Sequence, residues 1–286
     1  DHHDGVSSRN LFVARVAVQV FGESSVGLIA TNGDPRADTT NRVLGFDFNY
    51  RNSHFTGNKT LEAHVYAIGT DSARAGGRDT DLGFAVVYPN EPFEFVSDTR
   101  RIGARFDPAL GFAPRTGIIE TYNYAGYTWR PTLPWLHRVL LNVQPFYTLD
   151  LHGGVLGQEF DLPYVEFENA AGDMLAFRHA RERDRFDTAF EIVPGVIIPA
   201  GGYGWDRYAI QYTSTRSRPV SVNLKLRQLG FYGGQRRDYV GSLEWRASSQ
   251  FFTSVSWQLQ QAHLAQGNFA VRLGSAKVVY TYSPDL

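Results

Sequence analysis

The sequence predicts an all-β chain, a transmembrane antiparallel up-and-down β-barrel of roughly 14–18 strands. Three observations lead there. Apolar and polar residues alternate with period two along most of the 286 residues; within 219–227, Val220, Val222, Leu224 and Leu226 interleave with Ser221, Asn223, Lys225 and Arg227. Side chains on a strand point alternately to opposite faces, so such a segment has one apolar face and one hydrated, cationic face. The alternating stretches run for about 9–13 residues, enough to cross a bilayer at a tilt, whereas soluble strands average about five or six. Aromatic residues make up 14% of the chain, and Tyr50, Tyr88, Tyr147, Tyr208, Tyr212, Trp245 and Trp257 fall near predicted strand ends or upper thirds, as in the ring girdles of membrane barrels.

The strands follow in order. Phe12, Ala14, Val16, Val18 and Val20 share one face of the first, with Arg15 and Gln19 on the other. Gly22-Glu23-Ser24 turns the chain into a second strand at 25–31. After a loop at 32–41, Leu44, Phe46, Phe48 and Tyr50 alternate with Asp47, Asn49 and Arg51; Leu61, Ala63, Val65 and Ala67 then alternate with Glu62, His64 and Tyr66. Leu82, Phe84, Val86 and Tyr88 mark a further strand. Asp107-Pro108 and Ala113-Pro114 interrupt pairing, so 100–116 reads as a long loop or constriction. Strands resume at 117–129 and 136–150, the second with Val139, Leu141, Val143 and Tyr147 against Arg138, Asn142 and Gln144. The polar, Gly-rich 152–185 reads as two ragged strands and a large loop. Tyr208, Ile210 and Tyr212 against Arg207, Gln211 and Thr213 restore the alternation. Segment 219–227 follows, then Tyr239, Leu243 and Trp245 against Asp238, Ser242 and Glu244. Phe251, Val255, Trp257 and Leu259 oppose Ser254, Ser256, Gln258 and Gln260, and Val278, Tyr280 and Tyr282 end the series. No linker or heptad divides the chain, so residues 1–286 are expected to form a single barrel domain, with 100–116 and 152–185 as its long loops or plug segments.

Composition excludes several function classes. No stretch approaches the roughly 18 apolar residues of a spanning helix, which leaves a closed barrel as the spanning structure that pairs every backbone group. A net charge of −1 supplies no overall field for nucleic acid or acidic lipid. With no cysteine, disulfides and Cys-ligated metals are excluded. The chain begins at Asp1 without Met or a signal peptide, and reads as a mature, processed or partial chain.

Four segments carry a resemblance as an ordered set: Phe106-Asp-Pro-Ala-Leu-Gly-Phe112-Ala-Pro-Arg115, Ile198-Pro-Ala-Gly-Gly-Tyr203, Leu229-Gly-Phe-Tyr-Gly-Gly234 and Tyr282-Ser-Pro-Asp-Leu286. From about Asn10 to Leu286 the chain resembles an uncharacterised family of Gram-negative outer-membrane β-barrel domains that usually follow a carbohydrate-binding module of the family-nine type. The resemblance implies a bacterial outer-membrane location and an attached sugar-binding-like module. It carries no activity and no catalytic residues. In such relatives the Ser-Pro-Asp-Leu segment runs on into further strands. Both ends of this chain therefore read as incomplete, and a full barrel of about 16–18 strands or more is implied, with an even number.

Candidate sites are few. Asp1-His2-His3-Asp4 offers metal-friendly side chains without a distant partner, and reads as a tail; no metal or cofactor is expected. Asp150 and His152 share a strand face near a rim, where an Asp-oriented imidazole acts as a general base in some hydrolases. Glu159, Asp161, Glu166 and Glu168 suit glycoside hydrolysis, calcium or a polar lining. The run Arg178-His-Ala-Arg-Glu-Arg-Asp-Arg185 alternates with acids, so it reads as a charged loop or plug and not as a nucleic-acid site. Gly201-Gly-Tyr-Gly204 lacks the following Lys-Ser/Thr of a phosphate loop.

The leading expectation is a non-enzymatic outer-membrane barrel: a pore, transport conduit or membrane anchor for the attached module, with outer-membrane lipid as its partner and carbohydrate reached through that module. Arg15, Asp47, Arg51, Glu62, His64, Arg138, Asn142, Gln144, Arg207, Gln211, Asn223, Lys225, Arg227, Glu244 and Arg246 would line its lumen. The alternatives are a barrel hydrolase with a rim active site and a soluble carbohydrate-binding β-sandwich.

Overall fold

A computed structural model describes residues 10–36 and 39–282. Among the described residues there are seventeen strands, β1 (Phe12–Val20), β2 (Ser24–Asn32), β3 (Asn41–Phe55), β4 (Lys59–Ser72), β5 (Gly77–Pro89), β6 (Phe93–Ile102), β7 (Ile118–Trp129), β8 (Leu136–Asp150), β9 (Val155–Asn169), β10 (Met174–Phe186), β11 (Phe190–Val193), β12 (Val196–Ile198), β13 (Gly201–Thr213), β14 (Val220–Phe231), β15 (Gly234–Arg246), β16 (Phe251–Leu264) and β17 (Gly267–Tyr280). There is no helix among the described residues. Fifteen strands form one antiparallel up-and-down sheet in sequence order, from which only the hairpin β11–β12 is excised. Several strands reach 15 residues, well beyond the usual soluble length.

The sheet does not close into a barrel: β1 and β17 are its two edges. The odd strand number is consistent with this for an all-antiparallel wall. Neighbours alternate in direction, so the first and fifteenth strands run the same way, and an antiparallel wall closes on itself only with an even number.

Segment 152–185 holds the two strands expected of it but no large loop or plug. It forms β9 and β10 around a short turn at 170–173. Leu162 and Pro163 lie opposite the single residue His179, where the register of the pair shifts. This bulge breaks the alternation that marks a strand in sequence. The 100–116 segment is partly as expected: β6 runs to Ile102, and a strandless connection follows at 103–117.

The chain clusters into two compact units, residues 1–124 with 146–155 and residues 125–145 with 156–286. In the first, Val16, Leu28, Phe46, Ala67 and Leu82 stand directly across from one another on successive strands. These large side chains face outward, with Val16 63%, Leu28 53%, Phe46 43% and Leu82 40% exposed. The connection at 103–117 folds against the opposite, polar face. Asn41 donates to the Asp107 carbonyl at 2.7 Å and accepts from the Ala109 amide at 3.2 Å, while Ser72 donates to the Asp107 carboxylate at 2.8 Å.

In the second unit, Leu175, Tyr212, Leu224, Gly241 and Trp257 form an equivalent apolar row. Trp257 sits mid-strand rather than at a girdle, and its ring covers Gly241 directly opposite: a Cβ built on that glycine would lie 2.0 Å from the indole. On the other face, β11 and β12 fold back to build a small apolar core. Ile198 packs there with Trp205, Leu229, Phe231 and Leu264, flanked by Phe190 and Tyr232. A hairpin of four and three residues is too short to show a period in sequence, and this core holds it in place.

Candidate functional site

The polar face concentrates the chemistry. Alternation and register put the expected residues of β1, β3, β4, β13, β14 and β15 on the face opposite the apolar rows. In the first unit, Arg15 Nη2 lies 3.1 Å from Asp47, and Arg51 reaches Glu62 at 3.4 Å and Glu23 at 3.7 Å. His64 stacks at a tilt on Tyr66, with ring centroids 5.4 Å apart. Two concavities, of 360 and 270 Å³, run along these residues. A further ion pair there joins two residues absent from the sequence-predicted set: Arg100 Nε bonds Asp81 at 3.0 Å, Tyr66 donates to the same carboxylate at 3.0 Å, and Arg100 Nη2 closes the pair. Asp81 and Arg100 lie on neighbouring strands, so only the register could have revealed them.

The second unit holds a larger network. Arg207 spans Glu182 at 2.8 Å and Asp161 at 3.2 Å, and also contacts Glu159. Arg178 bonds Glu159 at 2.9 Å and Asp161. Trp205 Nε1 donates to Glu182 at 2.6 Å, tying the network to the apolar core. Arg227 and Arg236 converge on Asp238 at 3.1 and 2.7 Å. Arg138 binds Glu166 at 2.7 Å and Glu168 at 2.9 Å. Asn142 accepts from Gln144 at 3.0 Å, and Asn223 donates to Thr213 at 2.8 Å beside Gln211. Glu244 sits between Arg246 at 3.4 Å and Arg216 at 3.7 Å. Lys225 is in register between Gln211 and Val240. Asp81, Asp161 and Asp238 are each only 1% exposed. A buried carboxylate without a partner is costly, so each sits against arginine.

Every member of the acidic cluster 159–168 is engaged by arginine, and no group of three or more His, Cys, Asp or Glu able to hold a metal occurs among the described residues. Asp150 accepts the amides of His152 at 2.7 Å and Gly154 at 2.9 Å, capping its own turn. The His152 ring stands 4.0 Å away with its side chain 96% exposed, so the pair does not assemble the oriented base of a hydrolase. Asp1–Asp4 lies outside the described residues. The basic run at 178–185 lies within β10, where alternation sorts it: Glu182 and Asp184 join the polar face, while His179, Arg181, Arg183 and Arg185 point to the other side.

The turns carry their own ion pairs. Arg218 grips Asp173 with both terminal nitrogens, at 2.7 and 2.8 Å, and the Thr215 amide adds a third bond at 2.9 Å. The arginine, then the amide, hold the Asp173 carboxyl well below the usual carboxylate range. At the inserted connection, burial pushes the Asp107 carboxyl up, but Ser72, Arg74 and Arg36 outweigh it and leave it lowered.

Comparison of the chain with family models, curated proteins and solved structures gives no match.

Proposed function

We propose that this chain is the wall of a bacterial outer-membrane β-barrel without a reaction of its own, serving as a pore, transport conduit or membrane anchor for an attached sugar-binding-like module. One observation carries the reading: the sheet is inside out for a protein in water. Its large apolar side chains are exposed in continuous rows, whereas its buried groups include charged carboxylates paired with arginine. In water, each of these half-exposed side chains would forgo roughly half of the ~1.5–3 kcal/mol that full burial supplies. Against acyl chains the loss disappears, and the polar face lines a lumen. Closure of the wall takes at least one further antiparallel strand between β1 and β17. The connection 103–117 and the hairpin β11–β12, each on the polar face of its own unit, would narrow the bore.

Extraction tests this first. The chain is expected to stay in solution only with detergent; recovery as a monomer in plain buffer would contradict the reading. Planar-bilayer recording on inserted protein then separates the roles. Stepwise conductance marks a pore, and inserted but silent protein marks an anchor.

A further inference from the structure

On the apolar face of the second unit, the rows change character abruptly. Phe177, Ile210, Leu226 and Tyr239 stand in register across four strands, and one step further along them comes the row Tyr208, Gln228 and Arg237. Directly opposed side chains lie about 5 Å apart at Cβ, so a hydroxyl, an amide and a guanidinium form a continuous ledge of donors above an apolar floor. Between ledge and floor is an open concavity of 590 Å³, bounded on one side by Pro163 at the β9 bulge. Arg237 is exposed and forms no ion pair among the described residues. The neighbouring cation is already neutralised: Arg181 bonds Asp206 at 2.6 Å, and His179 Nε2 lies 3.1 Å from the same carboxylate.

We propose that this ledge and slot form a binding site for one membrane lipid with an anionic phosphate headgroup. The phosphate is held by Arg237 with Gln228 and the Tyr208 hydroxyl, and an acyl chain lies over Phe177, Ile210 and Leu226. Charge complementarity selects the occupant. A planar guanidinium beside an amide donor suits a phosphodiester, and the adjoining apolar floor suits the chain attached to it, which a free anion lacks. The site rests on the membrane reading, because only a bilayer delivers a lipid to this face.

The test uses the full chain reconstituted in vesicles of equimolar phosphatidylglycerol and phosphatidylcholine, with flotation reporting insertion and native mass spectrometry reporting the ratio of bound lipids. Phosphatidylglycerol should be retained in excess, and Arg237→Gln should lower its selectivity about five-fold. Arg101→Gln, an exposed arginine in the first unit, should leave the ratio unchanged. Floated protein with no preference, or equal losses from both substitutions, would overturn the site while leaving the membrane reading intact. Displacement of the lipid by inorganic phosphate alone would overturn the lipid as occupant. Failure of the wild-type chain to float would remove the membrane reading and this site with it.

Discussion

Arg207 and Asp161 meet at 3.2 Å across an intervening strand, over the side chain of Ala180, which stands in register between them and is fully buried. A methyl group is what the geometry allows there, since anything larger would separate the two charges. Ala180→Leu is therefore expected to destabilise the chain by about 1–3 kcal/mol through overpacking. Arg207→Gln, which leaves Asp161 with reduced compensation, should cost about 3–5 kcal/mol. Urea unfolding in detergent measures both. Wild-type stability in either variant would mean that the network is ornamental.

Gly241 and Trp257 make a second steric pair, on the opposite face. Gly241→Val should cost about 1–3 kcal/mol by displacing the indole, with a shift in tryptophan emission. The substitution should be better tolerated in a Trp257→Ala background. Equal costs in both backgrounds would separate the glycine from the ring.

The Asp173–Arg218 clamp gives a signed pH dependence. The folded carboxyl is held below its unfolded value. Its contribution is thus complete above the unfolded value of about 3.9, and is lost as pH falls towards the folded one. The melting temperature of wild type should exceed that of Asp173→Asn by a constant margin from neutral pH down to about 4, and the gap should shrink below that. A gap that widened in acid would contradict the assignment.

Much of the fold is legible in the sequence wherever one face stays apolar without a break. β1 and β14 announce themselves, because every second residue stays apolar over most of their length. β6 does not, since Phe93 and Phe95 give way to Ser97 and Thr99 on the same face. β9 and β10 are obscured by Pro163 at the bulge and by the charges of 178–185, which alternate in sign as the strand alternates in face. The polar face is legible as a list of residues but not as a set of pairs. Arg207 and Glu159 are far apart in sequence, and only the register of three strands brings them together. The same holds for the ledge of Tyr208, Gln228 and Arg237, where each residue looks ordinary in its own strand. Asp150 and His152 show the converse: they are close in sequence, yet the Asp150 carboxylate accepts the amides of its own turn and the imidazole stands 4.0 Å away.

The most direct test of an inside-out sheet compares two adjacent residues. The chain has no cysteine, so Leu224→Cys and Lys225→Cys each place a single environment-sensitive fluorophore on one face or the other. In vesicles, the label at 224 should emit as in an apolar medium and be quenched by brominated lipid but not by iodide. The label at 225 should behave in the opposite way. Labels that both respond to iodide, or a label at 224 shielded from iodide and brominated lipid alike, would show that the apolar face meets water or protein instead of a bilayer.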